Sequence, residues 1–362
     1  MSVSVMLKPS SSNCNLSCEY CFYNSLASQR QSFSKGYMTK ETSHNIILSA
    51  LDYAKNTDVY FVFQGGEPSL SGISFYKDFV DFVSKNNSKG ATVNYCFQTN
   101  GTLINDEWCE FFKQNGFLVG VSLDGNKEQN KYRIYPNKKD SFDDVMNGIN
   151  LLKKHGVEFN VLAVLTKFTA NTVRDSYRFF KQNSLNYFQY IAGLSPFGYK
   201  RQEDDIFMSV SDYSHFLEKA FRLYYNDITR GNKVSIRQFD NYSLLASGRH
   251  AEQCGMNGFC SRQFVVEGDG SVYPCDFFCT DEWLLGNINE SSFSELEKTE
   301  KAQNFIKESF VFPEKCKKCV YFGICRACGC KRTAKDIDYC DAYKKFFSEN
   351  LEKIKMLNRG NI

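Results

Sequence analysis

Strand-like and helix-like segments alternate along the first two hundred residues, and this alternation limits the possible folds more than any other feature. Short apolar or β-branched runs are separated by stretches with the apolar spacing of amphipathic helices. The runs are 3–7, 59–64, 92–98, 118–123, 158–165 and 186–191, and the amphipathic stretches include 40–55, 73–85, 106–115, 142–155 and 170–182. Repeated βα units form parallel sheets through right-handed crossovers. The sequence therefore predicts an α/β fold, a partial (β/α)6 barrel, with its chemistry at the carboxyl ends of the strands.

The pattern changes beyond about residue 195. Residues 211–230 predict an aromatic-rich helix, 263–275 predict a β-hairpin turning at Gly268-Asp269-Gly270, and 342–357 predict a closing helix. A cysteine-rich segment lies between the first and last of these helices. We therefore expect two domains, 1–235 and 236–362.

Charge and hydropathy exclude several classes of protein. The net charge of +3 is small and spread along the chain, which argues against a nucleic-acid-binding surface. No run approaches the roughly 18 apolar residues that cross a membrane, and the N-terminus lacks the basic start and long apolar stretch of a signal peptide. We expect a cytoplasmic, monomeric enzyme that binds neither nucleic acid nor membrane.

Fifteen cysteines are distributed unevenly along the chain. Three lie within the first 21 residues, two lie in the middle, and ten lie between Cys254 and Cys340. Because the cytosol keeps thiols reduced, this distribution indicates metal ligation rather than a disulfide framework.

The first three cysteines, Cys14, Cys18 and Cys21, read C-x3-C-x2-C directly after the first predicted strand. Three thiolates can hold three irons of a cubane cluster and leave the fourth iron open to a small molecule. The alternative is a structural zinc site, which needs a fourth ligand. The next candidate along the chain is His44, which is too distant for finger-like spacing.

Residues 14–23, with an aromatic residue directly after the third cysteine, resemble the signature of radical S-adenosylmethionine (SAM) enzymes. The resemblance implies a [4Fe-4S] cluster whose open iron binds SAM. It also implies reductive cleavage of SAM to a 5′-deoxyadenosyl radical.

Further matches to that family follow the later strands. The segment 65–68 reads Gly-Gly-Glu-Pro, and the resemblance implies that the backbone at Gly66 contacts the ammonium group of SAM. It also implies that Ser122 and Arg133 contact the SAM carboxylate, although the chain is one residue short before Arg133 and lacks the usual histidine there. Leu194 aligns with an apolar residue near the adenosyl group, and Tyr23 is a candidate for lining the pocket. For both residues, core packing is the alternative.

The late cysteines resemble a SPASM domain, a C-terminal extension that carries two auxiliary [4Fe-4S] clusters. The resemblance assigns Cys254, Cys260, Cys275 and Cys330 to the first auxiliary cluster and Cys316, Cys319, Cys325 and Cys340 to the second. The family usually has Cys-x3-Cys where this chain reads Cys325-Arg-Ala-Cys328-Gly-Cys330, so Cys328 competes with Cys330 as a ligand. Two four-thiolate zinc sites are the alternative.

Residues 264–267 and 271–277, together with Gln64, resemble the anaerobic sulfatase-maturating enzymes in particular. That resemblance implies three [4Fe-4S] clusters, and oxidation of a cysteine or serine in an unfolded sulfatase peptide to Cα-formylglycine through hydrogen abstraction at Cβ. Asp276, directly after a cluster cysteine, is then the candidate general base. The alternative role for Asp276 is that of a hydrogen-bonded turn residue.

The resemblance also implies an external electron donor such as flavodoxin or ferredoxin. Two other functions stay open at this point. A radical SAM/SPASM enzyme that forms thioethers or crosslinks in another peptide would share the cluster motifs, and a zinc-binding scaffold or redox protein would share the cysteine spacing.

Overall fold

The computed structural model describes residues 2–200, 202 and 205–357. The chain divides into two compact units, each assembled from separate segments. The first unit contains Met1–Ser122, Arg133–Phe159 and Arg262–Phe305, and the second contains Leu123–Tyr132, Asn160–Ser261 and Ile306–Ile362.

The regular elements are numbered here in chain order. The strands are β1 (Val3–Leu7), β2 (Asp58–Phe63), β3 (Thr92–Thr99), β4 (Leu118–Ser122), β5 (Phe159–Leu165), β6 (Tyr187–Ala192), β7 (Ser235–Ile236), β8 (Phe264–Val266), β9 (Ser271–Tyr273) and β10 (Gly286–Asn287). The helices are α1 (Phe22–Ala27), α2 (Lys40–Ala54), α3 (Ile73–Asn86), α4 (Asp106–Gln114), α5 (Phe142–Lys154), α6 (Lys167–Asn171), α7 (Val173–Gln182), α8 (Val210–Thr229), α9 (Arg237–Ala246), α10 (Phe293–Leu296), α11 (Glu300–Ser309), α12 (Glu314–Lys317), α13 (Phe322–Cys325), α14 (Lys331–Asp336) and α15 (Cys340–Leu357).

The strands of the first unit lie in the order β10-β9-β8-β1-β2-β3-β4. Strands β1 to β4 run parallel, with Val5 opposite Phe61 and Phe97 opposite Val119. Their carboxyl ends therefore meet at one edge of the sheet, where the loops after β1, β2 and β3 begin.

The predicted hairpin is present, because β8 and β9 pair antiparallel with Val266 opposite Val272. Sequence reasoning did not anticipate that β8 also pairs parallel with β1, with Val5 opposite Phe264. This pairing brings the segment after residue 266 beside the segment after residue 7, although the two lie far apart along the chain.

Aromatic rings fill the core between the sheet and helices α3 and α4. Phe63 on β2 lies 5.0 Å from Tyr76 and from Phe79 on α3, measured between ring centroids. Phe97 on β3 lies 5.4 Å from Trp108 on α4. Each such aromatic pair contributes about 0.5–1.5 kcal/mol to stability beyond the contribution of its buried area. These contacts therefore stabilise the packing of α3 and α4 on the sheet.

In the second unit β5, β6 and β7 run parallel in that order. Helices α8, α9 and α15 pack together through aromatic side chains, with Phe221 of α8 lying 5.3 Å from both Phe239 of α9 and Phe346 of α15. The predicted helices 211–230 and 342–357 correspond to α8 and α15, whereas α9 was not predicted.

The six strands predicted from the alternation are confirmed, each with its ends within one residue of the observed bounds. The single helix predicted over 170–182 is wrong. A capping box of Thr166 and Thr169 starts α6 earlier, and the chain leaves helical geometry at Thr172 before α7 begins. In the described part of the chain, no helix combines the length and apolar character needed to cross a bilayer.

Candidate active site and cluster-binding cysteines

Cys14, Cys18 and Cys21 lie in the loop between β1 and α1, in the first unit. The backbone N–H of Leu16 donates to Cys14 Sγ, and that of Asn24 donates to Cys21 Sγ, each at 3.4 Å. Cys21 is also the N-cap of α1. Hydrogen bonds to sulfur are among the features that tune iron–sulfur clusters, so this donor set suits thiolate ligands of a cluster. Among the described residues, no three His, Cys, Asp or Glu side chains are gathered as ligands of a single metal ion.

The Gly65-Gly66 pair packs against the start of the cysteine loop. The N–H of Gly66 donates to the Ser11 carbonyl at 2.7 Å, and the N–H of Glu67 donates to the Asn13 carbonyl at 2.8 Å. A Cβ on Gly66 would overlap the Asn13 carbonyl, and Gly65 has φ +127°. Glycine is therefore required here for the close approach of two backbone segments just before Cys14.

Glu67 connects that glycine pair to the end of β3. Its buried carboxylate accepts hydrogen bonds from the Asn100 N–H at 2.7 Å, from Thr99 Oγ1 at 2.8 Å, and from the N–H and hydroxyl of Ser69. Burial raises the pKa of Glu67 above its usual range, against the lowering effect of these donors. Asn100 in turn lies 3.8 Å from Cys14 Sγ through its side-chain nitrogen. The Gly-Gly-Glu-Pro motif was identified from the sequence, but the hydrogen bonds by which Glu67 connects it to the end of β3 were not predicted.

Arg133 lies beside the cysteine loop. Its guanidinium donates to the hydroxyl of Tyr20 at 3.0 Å, and the adjacent Ile134 carbonyl accepts from the N–H of Ser17 at 2.7 Å. Ser122, at the end of β4, accepts a hydrogen bond from Gln98 on β3 at 3.1 Å. Ser122 and Arg133, the two residues predicted to contact the SAM carboxylate, thus both belong to the first unit. Ser122 bonds to Gln98, and Arg133 bonds to Tyr20.

Asp276 is buried and held at both carboxylate oxygens. The ammonium of Lys8 forms an ion pair with Oδ1, and the side-chain amide of Gln64 donates to Oδ2 at 2.9 Å. Lys8 directly follows β1 and is fully buried, and Gln64 directly follows β2. The carboxylate therefore has a fixed orientation at the edge where the strands end.

Tyr23 lies under the same ammonium group. Lys8 Nζ sits 3.5 Å from the centroid of the Tyr23 ring, a cation–π contact. Burial alone would lower the pKa of Lys8, but the negative charges around it, that of Asp276 first, together outweigh burial and raise the pKa above 10.5. The ammonium form is thus the one that the site holds.

A second buried carboxylate, Glu267, holds Tyr23 in place. It accepts hydrogen bonds from the Tyr23 hydroxyl and, at 2.8 Å, from Ser11 Oγ, and it pairs with Arg30 at 2.9 Å. Burial and then Glu267 raise the pKa of Tyr23 well above its usual value. Two cations, Lys8 and Arg30, two carboxylates, Glu267 and Asp276, and the Tyr23 side chain between them form what we call the buried charge network. Of its residues, sequence reasoning named Asp276 and Tyr23 and did not single out Lys8, Arg30 or Glu267.

In the second unit, one cavity is lined by the four cysteines assigned to the second auxiliary cluster and by one further cysteine. These are Cys316, Cys319, Cys325, Cys340 and Cys328. Four cysteines that line one cavity provide the number and type of ligands that a closed four-iron cluster uses.

Three of the four cysteines assigned to the first auxiliary cluster, Cys254, Cys260 and Cys330, are neighbours in the second unit. Burial and then the thiols of Cys254 and Cys330 raise the pKa of Cys260 to about 11. Cys275 belongs to the first unit. Cys330 does not line the cavity that contains Cys328.

Leu194 is buried in the second unit, near the start of the loop that follows β6. The next residue, Ser195, bonds to Asp336 through its hydroxyl and accepts from Arg332 at 2.7 Å through its carbonyl. The Leu194 side chain is thus held next to a well-fixed backbone segment, a placement that suits either core packing or a ligand contact.

Comparison with known families places two matches on this chain. Residues 9–180 match the radical SAM superfamily, and residues 254–320 match SPASM, an iron–sulfur cluster-binding domain. Both matches lie where the cysteine motifs are.

Proteins similar over nearly the full length are known as well. The chain is 42% identical to a cysteine-type anaerobic sulfatase-maturating enzyme of Clostridium novyi, over 98% of this chain and 96% of that protein. It is 34% identical to a serine-type anaerobic sulfatase-maturating enzyme of Bacteroides thetaiotaomicron, over 95% of this chain and 88% of that protein. A solved structure described as native anSMEcpe with bound AdoMet and Cp18Cys peptide superposes with a TM-score of 0.93 at 39% identity, covering 100% of both chains.

Proposed function

The chain belongs to the anaerobic sulfatase-maturating enzymes, and from that membership we propose which residues perform the oxidation of a sulfatase residue to Cα-formylglycine. It is a radical SAM oxidoreductase with a SPASM domain, and it acts on a peptide. Its cofactors are SAM and [4Fe-4S] clusters. We place the domain boundary at 235/236, between the two family matches.

The donor sets fit these cofactors. Cys14, Cys18 and Cys21 would hold the cluster that binds SAM. Two sets of four cysteines would hold the auxiliary clusters: Cys254, Cys260, Cys275 and Cys330, and Cys316, Cys319, Cys325 and Cys340. When bound, these groups supply a 5′-deoxyadenosyl radical that abstracts hydrogen from the substrate Cβ and an acceptor for the electron that must leave.

SAM would be held mainly by backbone and guanidinium groups of the first unit. Gly66 would present its peptide group to the ammonium, and Ser122 and Arg133 would bind the carboxylate. The placement of Arg133 beside the cysteine loop supports this assignment, because the planar fork of a guanidinium matches the geometry of a carboxylate. Leu194 would pack against the adenosyl group, and Tyr23 would line the pocket.

Asp276 would remove the thiol or hydroxyl proton of the substrate. The observation that supports this role is that Lys8 and Gln64 each bind one oxygen of the Asp276 carboxylate. These contacts fix the orientation of the carboxylate, and a general base must be correctly oriented before proton transfer. Lys8 and Gln64 are then positioning residues, and Glu267 positions Tyr23 beneath Lys8.

We propose cysteine as the preferred substrate residue, since identity is higher to the cysteine-type relative than to the serine-type one. The test is anaerobic incubation with SAM, a reductant and matched Cys-x-Pro-x-Arg and Ser-x-Pro-x-Arg peptides. Mass spectrometry should find the aldehyde faster from the cysteine peptide. Faster conversion of the serine peptide would contradict this preference, and deoxyadenosine release without any aldehyde would contradict the proposed substrate class.

We propose that flavodoxin or ferredoxin donates the electrons. We also propose that the enzyme is a monomer in the cytoplasm, where its fifteen free cysteines would stay reduced. A groove between α7 and α8 supports a donor with an acidic face. Three exposed arginines line it, Arg174, Arg178 and Arg222, while the nearby Asp227 pairs with Lys181 at 3.1 Å. Charge complementarity of this kind increases the rate of encounter between proteins.

A further inference from the structure

The second auxiliary site contains one thiol more than a closed cluster uses. The four irons of the cluster would each bind one of the assigned cysteines, Cys316, Cys319, Cys325 and Cys340. A fifth cysteine, Cys328, lines the same cavity. The backbone N–H of Cys328 donates to Cys325 Sγ at 3.4 Å, and the Cys328 thiol donates to Asp338 Oδ1 at 3.9 Å. The fifth thiol is therefore a direct neighbour of one particular ligand, Cys325.

An unusual backbone conformation puts Cys328 there. Arg326, Ala327 and Cys328 have φ values of 51°, 57° and 64°, and Gly329 continues the left-handed turn at 74°. Residues that carry a Cβ rarely adopt this conformation, and three in a row are rarer still. Such a turn persists only where its surroundings hold it.

The surroundings that hold the turn come from the segment that carries Cys254. A Cβ on Gly258 would collide with Arg326, and a Cβ on Gly329 would overlap the Gly255 carbonyl. Glycines at these positions let the two segments pack in close contact. At the same place Cys330 lies against Gly255, 3.4 Å from where a Cβ on that residue would be. The turn thus places Cys330 beside the segment that carries Cys254, another cysteine of the first auxiliary set. It places Cys328 in the cavity lined by the second auxiliary set.

We propose that Cys328 is a reserve ligand of the second auxiliary cluster, able to replace Cys325 on its iron. The proposal rests on the proposed function, since it requires that this site holds a cluster. The exchange breaks the bond from iron to the Cys325 sulfur and forms one to the Cys328 sulfur. The Cys328 thiol proton leaves to solvent, Cys325 takes up a proton, and no electron is transferred.

Metal content of anaerobically reconstituted full-length protein tests this directly. Three four-iron clusters correspond to roughly twelve irons per chain. Cys328→Ala and Cys325→Ala should each keep roughly twelve, because one of the two thiols remains at the site. The double variant Cys325→Ala/Cys328→Ala leaves one iron of this cluster without a protein ligand, so its content should fall to about eleven irons or fewer. Cys319→Ala is the matched control and should also fall to about eleven irons or fewer, because Cys328 lies beside Cys325 and not beside Cys319.

Electron paramagnetic resonance of the reduced proteins gives a second readout. Cys325→Ala should show an altered signal for one cluster, since its ligand sits on a different loop position, whereas Cys328→Ala should retain the wild-type signals. Circular dichroism would verify that each variant is folded.

Three results would overturn the proposal. They are loss of iron in Cys325→Ala alone, loss of iron in Cys328→Ala alone, and retention of all roughly twelve irons in the double variant. Failure of the proposed function itself looks different, because wild-type protein would then contain zinc or little metal in the same assay.

Discussion

The buried charge network and the second auxiliary cysteine set are built in opposite ways. Lys8 and Asp276 are 268 residues apart in sequence, and Tyr23 and Glu267 are 244 residues apart. The second cysteine set is instead contained within residues 316–340. The network thus depends on strand β8 lying beside β1, whereas the cysteine set depends on local spacing and on one left-handed turn.

Because of this difference, the two regions contribute differently to folding and to activity. A network made of distant residues exists only in the completed fold, so it can fix the orientation of Asp276, the carboxylate that we propose as the base. A local cysteine set can gather its ligands without the rest of the chain, so metal binding and local folding are coupled there. Variants in the two regions should therefore fail in different ways: network variants should lose stability and turnover with iron intact, and cysteine variants should lose iron.

The largest predicted effect on stability follows from removing Lys8. Lys8→Met leaves the buried Asp276 without its cation, which should cost about 3–5 kcal/mol of unfolding free energy. Denaturant unfolding under anaerobic conditions would measure the loss. The matched control is Lys40→Met, which removes an exposed pair with Asp78 and should cost about 0–1 kcal/mol.

A double variant makes that test specific. Lys8→Met/Asp276→Asn removes both charges and should be more stable than the sum of the two single losses predicts. Strict additivity of the two losses would mean that Lys8 and Asp276 do not act as a pair.

The pH dependence of the same pair gives a related prediction. The pKa of Lys8 in the folded protein is raised above 10.5, so its pair contributes in full below about pH 10.5 and is lost as pH rises through the folded-state pKa. The stability difference between wild type and Lys8→Met should therefore be constant near neutral pH and shrink under strongly alkaline conditions. A difference that grows with pH would contradict the charged pair.

Tyr23→Phe should have a smaller effect. It removes the hydrogen bond to Glu267, worth about 1.5–3 kcal/mol for a charged partner, and keeps the ring beneath Lys8. We expect lower stability and kcat with an unchanged KM for SAM. A raised KM for SAM at unchanged stability would instead mean that the Tyr23 hydroxyl contacts SAM rather than Glu267.

The smallest predicted effect concerns the arginine groove of the second unit. Arg178→Glu should slow turnover about tenfold when a flavodoxin supplies electrons, less so at high salt, and should leave turnover with dithionite unchanged. Lys298→Glu makes the same charge change on an exposed residue outside the groove and serves as the control. Equal slowing with both reductants would show that the groove has another function.

Much of the fold was accessible from the sequence because βα alternation is a local signal. The six strands and the helices α2 to α5 follow from apolar spacing, and the cysteine sets follow from family spacing. The charge network was not accessible in the same way. Nothing in the spacing around Lys8 or Glu267 relates them, because the parallel pairing of β1 and β8 brings them together only in three dimensions. A lysine placed directly at the carboxyl end of an apolar strand was the one available signal.

The central claim is that Asp276, held by Lys8 and Gln64, is the base for the oxidation. Asp276→Asn, incubated anaerobically with SAM, reductant and a cysteine peptide, tests it through two readouts on one sample, iron content and aldehyde yield. We predict roughly twelve irons per chain and aldehyde formation slowed at least about a hundredfold, while Asp175→Asn, at an exposed position of α7, should keep the wild-type rate. Wild-type aldehyde formation by Asp276→Asn at full iron content would contradict the claim.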